Sequence, residues 1–158
     1  MAGLSAARMA GYLTYLSPST MEQKFGRNYV ANDGLFELFG RFEVERYLDY
    51  NGHNFPKWFD PLSFLYITKA INIFDLSRGY DSLEEAIKRI KARLVLISFT
   101  GDWLFFAHEM KKIADIACTF TPNNVSYLEV HSHYGHDAFL VELEKFDFLV
   151  KEELEKDR

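Results

Sequence analysis

A single cysteine, Cys118, stands among 158 residues, so no disulfide can form within the chain. That usage fits a reducing compartment. Proline (4) and glycine (9) are sparse and scattered, and no Pro-, Gly- or Ser-rich stretch marks a linker. No apolar run approaches the roughly 18 residues that a membrane-spanning helix requires. The first nine residues carry one basic side chain, Arg8, and no long apolar core, so they do not read as a signal peptide. Positive charge is also in deficit: 18 Lys and Arg against 23 Asp and Glu leave a net charge of −5. That balance argues against nucleic acid or an anionic membrane as the main partner. The densest basic group, Lys88 to Arg93, falls where a helix ends, and cations suit that end of the helix dipole.

What remains is a chain able to build a core. Hydrophobic residues make up 48% and aromatic residues 16%, which excludes a disordered chain. The texture changes near residue 92. Before it, the pattern is aromatic-rich and helical. Ser17-Pro18 sets a cap before a helix-initiating proline, and Ser19-Thr20-Met21-Glu22 matches a capping box. Phe42 to Tyr50 reads as a short helix stopped by Asn51-Gly52. Asp60-Pro61 opens a helix to about Asp75, and Ser82-Leu83-Glu84-Glu85 opens another through Ile87 and Ile90. After residue 92, Leu94 to Phe99 and Val125 to Val130 read as buried strands, separated by a helix over roughly 106–118 and a turn at Pro122-Asn123-Asn124. Ala138 to Glu153 reads as one amphipathic helix. The order β-loop-α-β-loop-α predicts an α/β fold with a parallel crossover. Two such strands cannot bury both faces alone, so the sheet is expected to be incomplete, with strands supplied from elsewhere.

Asp102 lies just after the first strand and His136 just after the second. Ligands gather at the carboxyl ends of parallel strands, so the two can meet there. An acid followed by a histidine is the second half of a Ser…Asp…His relay, in the chain order that α/β-hydrolases use. Equally, Asp102 could cap the next helix and His136 could be an ordinary loop histidine. No Gly-x-Ser-x-Gly occurs in the 158 residues. Gly3-Leu4-Ser5-Ala6-Ala7 comes near that pattern but lacks a preceding strand, so Ser5 reads as helical. His131 and His133 could share a strand face, but no ligand set beyond Asp137 completes a tetrahedral site, and no metal is expected. Arg8 and Tyr15, seven residues apart, fall two turns along one helix face.

Several blocks together carry a more specific signal. They are Gly3-Leu4-Ser5-Ala6-Ala7-Arg8-Met9, Tyr12 to Ser17, Lys24-Phe25-Gly26-Arg27, Phe42 to Leu48, Phe59-Asp60 with Leu65 to Thr68, Gly101 to Phe105, and Gly135 to Leu140. In order and spacing the chain resembles the homoserine O-acetyltransferase family from Gly3 to about Leu149. Phe106, Leu62 and Phe64 depart from the family's usual proline, asparagine and tyrosine. The resemblance implies the C-terminal portion of an α/β-hydrolase fold. Residues 1–16 would form a helix leading out of the catalytic core, 17–91 a helical lid and dimerisation region, and 92–158 the last part of the catalytic domain. It implies transfer of an acetyl group from acetyl-CoA, a co-substrate rather than a bound cofactor, to L-homoserine on the way to methionine. A serine outside this chain would carry the acyl group. Asp102 and His136 would be the catalytic acid and base, with Arg8, Tyr15 and Asp137 holding the substrate. The implied partners are the missing N-terminal half and a second copy joined through the lid, in the cytoplasm. A succinyltransferase or esterase of the same build, or a non-catalytic lid module, are the alternatives.

Overall fold

The computed structural model describes residues 2–31 and 36–156. The chain divides into two compact units, Met1–Phe74 and Asp75–Arg158.

The first unit is helical: α1 (Ala2–Tyr15), α2 (Pro18–Lys24), α3 (Glu43–Asn54) and α4 (Pro61–Ile73). Ser17 caps α2 by accepting from the Thr20 amide at 3.2 Å, with Pro18 in the first turn. The anticipated box at Ser19 is not used, because the helix has already begun one residue before it. Asp60 caps α4 through the Ser63 amide at 2.7 Å.

The expected stop at Asn51-Gly52 does not occur. Helix α3 runs on to Asn54, and Gly52 is buried inside it. The reason is packing: a Cβ at Gly52 would lie 2.5 Å from Met9 Cε and 3.0 Å from the Ser5 carbonyl oxygen. Here glycine permits close approach of α1 and α3 rather than ending a helix. Gly52→Ala should therefore lower stability by about 1–2 kcal/mol in urea unfolding. The gain in helix propensity, about 1 kcal/mol, is outweighed because the α1 backbone cannot yield as a methionine tip can.

Apolar side chains of α4 are left uncovered within its unit; Leu65 and Ile71 are each 62% exposed.

The second unit opens with α5 (Leu83–Lys88), capped by Ser82 through the Glu85 amide at 3.3 Å. Then follow β1 (Leu94–Phe99), α6 (Ala107–Phe120), β2 (Val125–Val130), α7 (Ala138–Val141) and α8 (Asp147–Glu155). The strands pair in parallel from Leu94↔Val125 to Phe99↔Val130. Both strands begin where sequence periodicity put them. Most of their residues are only half-buried, as an incomplete sheet requires. Core packing concentrates at their carboxyl ends, where Phe99, Val130 and Ala138 meet Phe146.

The single helix expected over Ala138 to Glu153 is instead three pieces: α7, a 3-10 turn at Leu143–Lys145, and α8. Tertiary contacts override local periodicity. Phe146 turns inward to meet Phe99 edge-on, with ring centroids 5.5 Å apart. Lys145 pairs with Glu142 at 2.6 Å and donates to the His131 carbonyl at 3.0 Å.

The last turn of α8 is fastened to the sheet through Glu153. Its carboxylate accepts from Ser126 Oγ at 2.6 Å and Lys156 Nζ at 2.6 Å, and Arg93 lies 3.4 Å away. The Lys156 ammonium first, then the Ser126 hydroxyl, hold this carboxyl below the ordinary glutamate range. A depressed folded-state pKa contributes stability that is present above the unfolded value and lost as pH falls through the folded one. Chemical denaturation of Glu153→Gln should thus show lower stability at about pH 7 than the parent, and a smaller further loss on going to about pH 4.

Candidate acid–histidine site

The site is built where β1 and β2 run out. Thr100 makes the last ladder contact, donating its amide to the Val130 carbonyl at 3.0 Å. Each strand then enters a tight turn through a left-handed glycine, Gly101 at φ 75° and Gly135 at φ 64°. Only glycine adopts these angles without strain, and each directly precedes a polar residue aimed at the other turn.

Asp102 is buried, with its side chain 6% exposed. Its Oδ1 accepts from the amides of Leu104 and Phe105, each at 2.8 Å. Its Oδ2 faces His136 Nδ1 at 3.1 Å. The carboxylate is therefore oriented by backbone on one side and orients the imidazole with the other. The two readings of Asp102 in the sequence turn out to be partly compatible. It does bond to following amides, but in a turn of its own; α6 begins later, at Ala107, with Phe106 at its cap.

The imidazole is fixed on its flanks by two rings, Phe105 at 5.3 Å and Phe139 at 5.5 Å between centroids. A cavity of about 280 Å³ opens beside the pair, walled by Phe105, Met110, Phe139 and Phe146 with Asp102 and His136. With Nδ1–H donated to the carboxylate, the lone pair of the neutral ring lies on Nε2, the arrangement a general base needs. Asp137 occupies the same 3-10 turn as His136 and leads directly into α7.

Arg8 and Tyr15 come together in the first unit. Arg8 Nη1 donates to the Tyr15 hydroxyl at 3.0 Å. The guanidinium also lies over Phe55 at 4.4 Å and Tyr12 at 4.7 Å. Its Nε is buried and has no hydrogen-bond partner among the described residues. Ser5 is part of α1, as its lack of a preceding strand indicates. His131 and His133 stack edge-on at 5.5 Å. Among the described residues, no three His, Cys, Asp or Glu side chains converge on a common point that could hold a metal ion. No described helix is long and apolar enough to cross a membrane.

Sequence reasoning missed the two rings around His136 and the Thr100–Ser132 contact between the turns. The signal for the rings was present in the spacing Asp102-x-x-Phe105 and His136-x-x-Phe139, which brings an aromatic residue back beside each polar one. The Thr100 contact had no sequence signal, since it depends on register between strands far apart in the chain.

A parallel strand pair whose carboxyl-end loops join an aspartate to a histidine defines an α/β-hydrolase type of fold. Solved structures agree. A homoserine O-acetyltransferase from Bacillus anthracis superposes with a TM-score of 0.84 at 22% identity, over 95% of this chain and 40% of that one. Esterase E22 superposes at 0.78 and 19% identity, over 95% and 41%. No protein-family model matches the chain. In sequence, the homoserine O-acetyltransferase of Nautilia profundicola is 61% identical over 150 residues, covering 95% of this chain and 40% of the relative. That of Sulfurimonas autotrophica is 58% identical over 154 residues, or 98% and 42%. In sequence the chain is similar to homoserine O-acetyltransferases and corresponds to their C-terminal part. It spans about two fifths of the length of these relatives.

Proposed function

We propose that this chain supplies the acid–base half of an acyltransferase that moves an acetyl group from acetyl-CoA to the hydroxyl of L-homoserine, a step toward methionine, in the cytoplasm. The observation that carries this reading is the His136 Nδ1–Asp102 Oδ2 contact at 3.1 Å between two strand-end turns. The relatives' name supports the choice of acyl group and acceptor.

The chemistry proceeds in two halves. A serine outside the 158 residues loses its hydroxyl proton to His136 Nε2, and its oxygen attacks the thioester carbon. The C–S bond breaks, the CoA sulfur leaves with the proton from His136, and the acyl-serine remains. Homoserine's hydroxyl then gives its proton to Nε2 and attacks the acyl carbon. The serine oxygen leaves and recovers the proton. Asp102 holds the ring and offsets its transient positive charge.

Arg8 would grip the acceptor's carboxylate, a role its planar fork suits. Its partnerless Nε and its packing on Phe55 and Tyr12 support that role. Tyr15 would contact the same substrate, and Asp137 would meet its ammonium. The uncovered apolar residues of α4 support a homodimer joined through the lid helices.

The test uses an assembled enzyme, this chain joined to the serine-bearing N-terminal part of a homoserine O-acetyltransferase relative. Given acetyl-CoA and succinyl-CoA in competition with L-homoserine, it should form O-acetylhomoserine in excess, read by mass spectrometry. Predominant succinylation would reassign the donor. Hydrolysis alone would favour an esterase, the reading that the likeness to esterase E22 keeps in view.

A further inference from the structure

The Asp102 and His136 turns are tied together by more than their own contact. Thr100 is the first residue beyond β1, two before Asp102. Its Oγ1 accepts from the Ser132 amide at 2.9 Å, and it lies 3.1 Å from the Ser132 carbonyl oxygen and 3.3 Å from His131 Nδ1. A hydroxyl has one proton, so it donates to one of those two while accepting from the amide.

Ser132 is itself buried, and its Oγ accepts from the Tyr134 amide at 2.9 Å, starting the bend that leads to Gly135 and His136. One threonine hydroxyl thus joins the chain two residues before the acid to the chain four residues before the base. The ladder ends at the adjacent rung, Phe99↔Val130. Beyond it the two strands would be free to splay, each turning on a glycine.

We infer that Thr100 is a positioning residue: by clamping Ser132 across the strand ends it holds His136 in the ring orientation that keeps Nδ1–H on Asp102 and Nε2 toward the substrate. This inference rests on the proposed acid–base role of that pair. The methyl group of Thr100 is not needed for the clamp, whereas the hydroxyl is. Thr100→Ser keeps the bonds; Thr100→Val keeps shape and strand propensity and loses both donor and acceptor.

The test has two arms. In the 158-residue chain, nitrogen-15 NMR of the imidazole reads which nitrogen of neutral His136 carries the proton. The wild type and Thr100→Ser should hold it on Nδ1, while Thr100→Val should shift population toward Nε2–H. In the assembled enzyme, Thr100→Val should lower kcat by roughly tenfold to a hundredfold with KM for both substrates little changed, and Thr100→Ser should restore it. A Thr100→Val protein that keeps the wild-type tautomer and kcat, and merely melts earlier, would overturn the inference. If the wild-type assembled enzyme transfers no acyl group, the proposed function fails, and the tautomer arm still decides the role of Thr100.

Discussion

Replacing His136 with alanine in the assembled enzyme should lower kcat about a million-fold. This is the size of loss seen when the base of a serine relay is removed, because nucleophile and base act as one unit. The structure gives the reason a water or neighbouring residue should not substitute. The ring is held by Asp102 at one edge and by Phe105 and Phe139 on its flanks. Among the described residues lining the adjoining cavity, Asp102 is the only titratable side chain besides His136, and it is already engaged with the ring and two backbone amides. Acceptor binding through the proposed contacts of Arg8 and Tyr15, which lie in the first unit, should survive.

Asp102→Asn should cost about ten-thousand-fold in kcat while leaving the fold intact. In the native site one carboxylate oxygen takes two backbone amides and the other takes the imidazole. An asparagine has only one acceptor oxygen. The Leu104 and Phe105 amides will claim it, and the side-chain NH₂ then faces Nδ1. The ring must accept there, its proton moves to Nε2, and the base points its lone pair the wrong way. The substitution is isosteric, so circular dichroism and thermal unfolding should change little. A variant with near-native kcat would mean that the pairing at 3.1 Å has no role in turnover.

The site's two central residues were legible because each is announced by local signals: an apolar strand run, then glycine, then the polar residue. Both strands were readable from their continuous apolar stretches for the same reason. Where the sequence misled, a distant contact had overridden a local tendency. Gly52 looked like a stop and is instead a point of close helix approach, which only the position of Met9 and Ser5 reveals. The stretch after Ala138 has helical periodicity, yet Phe146 leaves the helix to pack on Phe99. Likewise, the clamp at Thr100 depends on strand register, which periodicity alone does not specify. The family resemblance rested on many short blocks in order, and identity of 61% over 150 residues bears it out.

The central claim is that these 158 residues carry the acid and base for a serine that lies outside them. The most direct measurement is O-acetylhomoserine formation from acetyl-CoA and L-homoserine by the chain alone and by the same chain joined to the N-terminal part of the Nautilia profundicola enzyme. The expected result is no turnover above background for the chain alone and enzymatic turnover for the joined protein, abolished by His136→Ala. Turnover at ordinary enzymatic rates by the chain alone would contradict the claim. So would a folded, inert joined protein assayed beside an active parent enzyme.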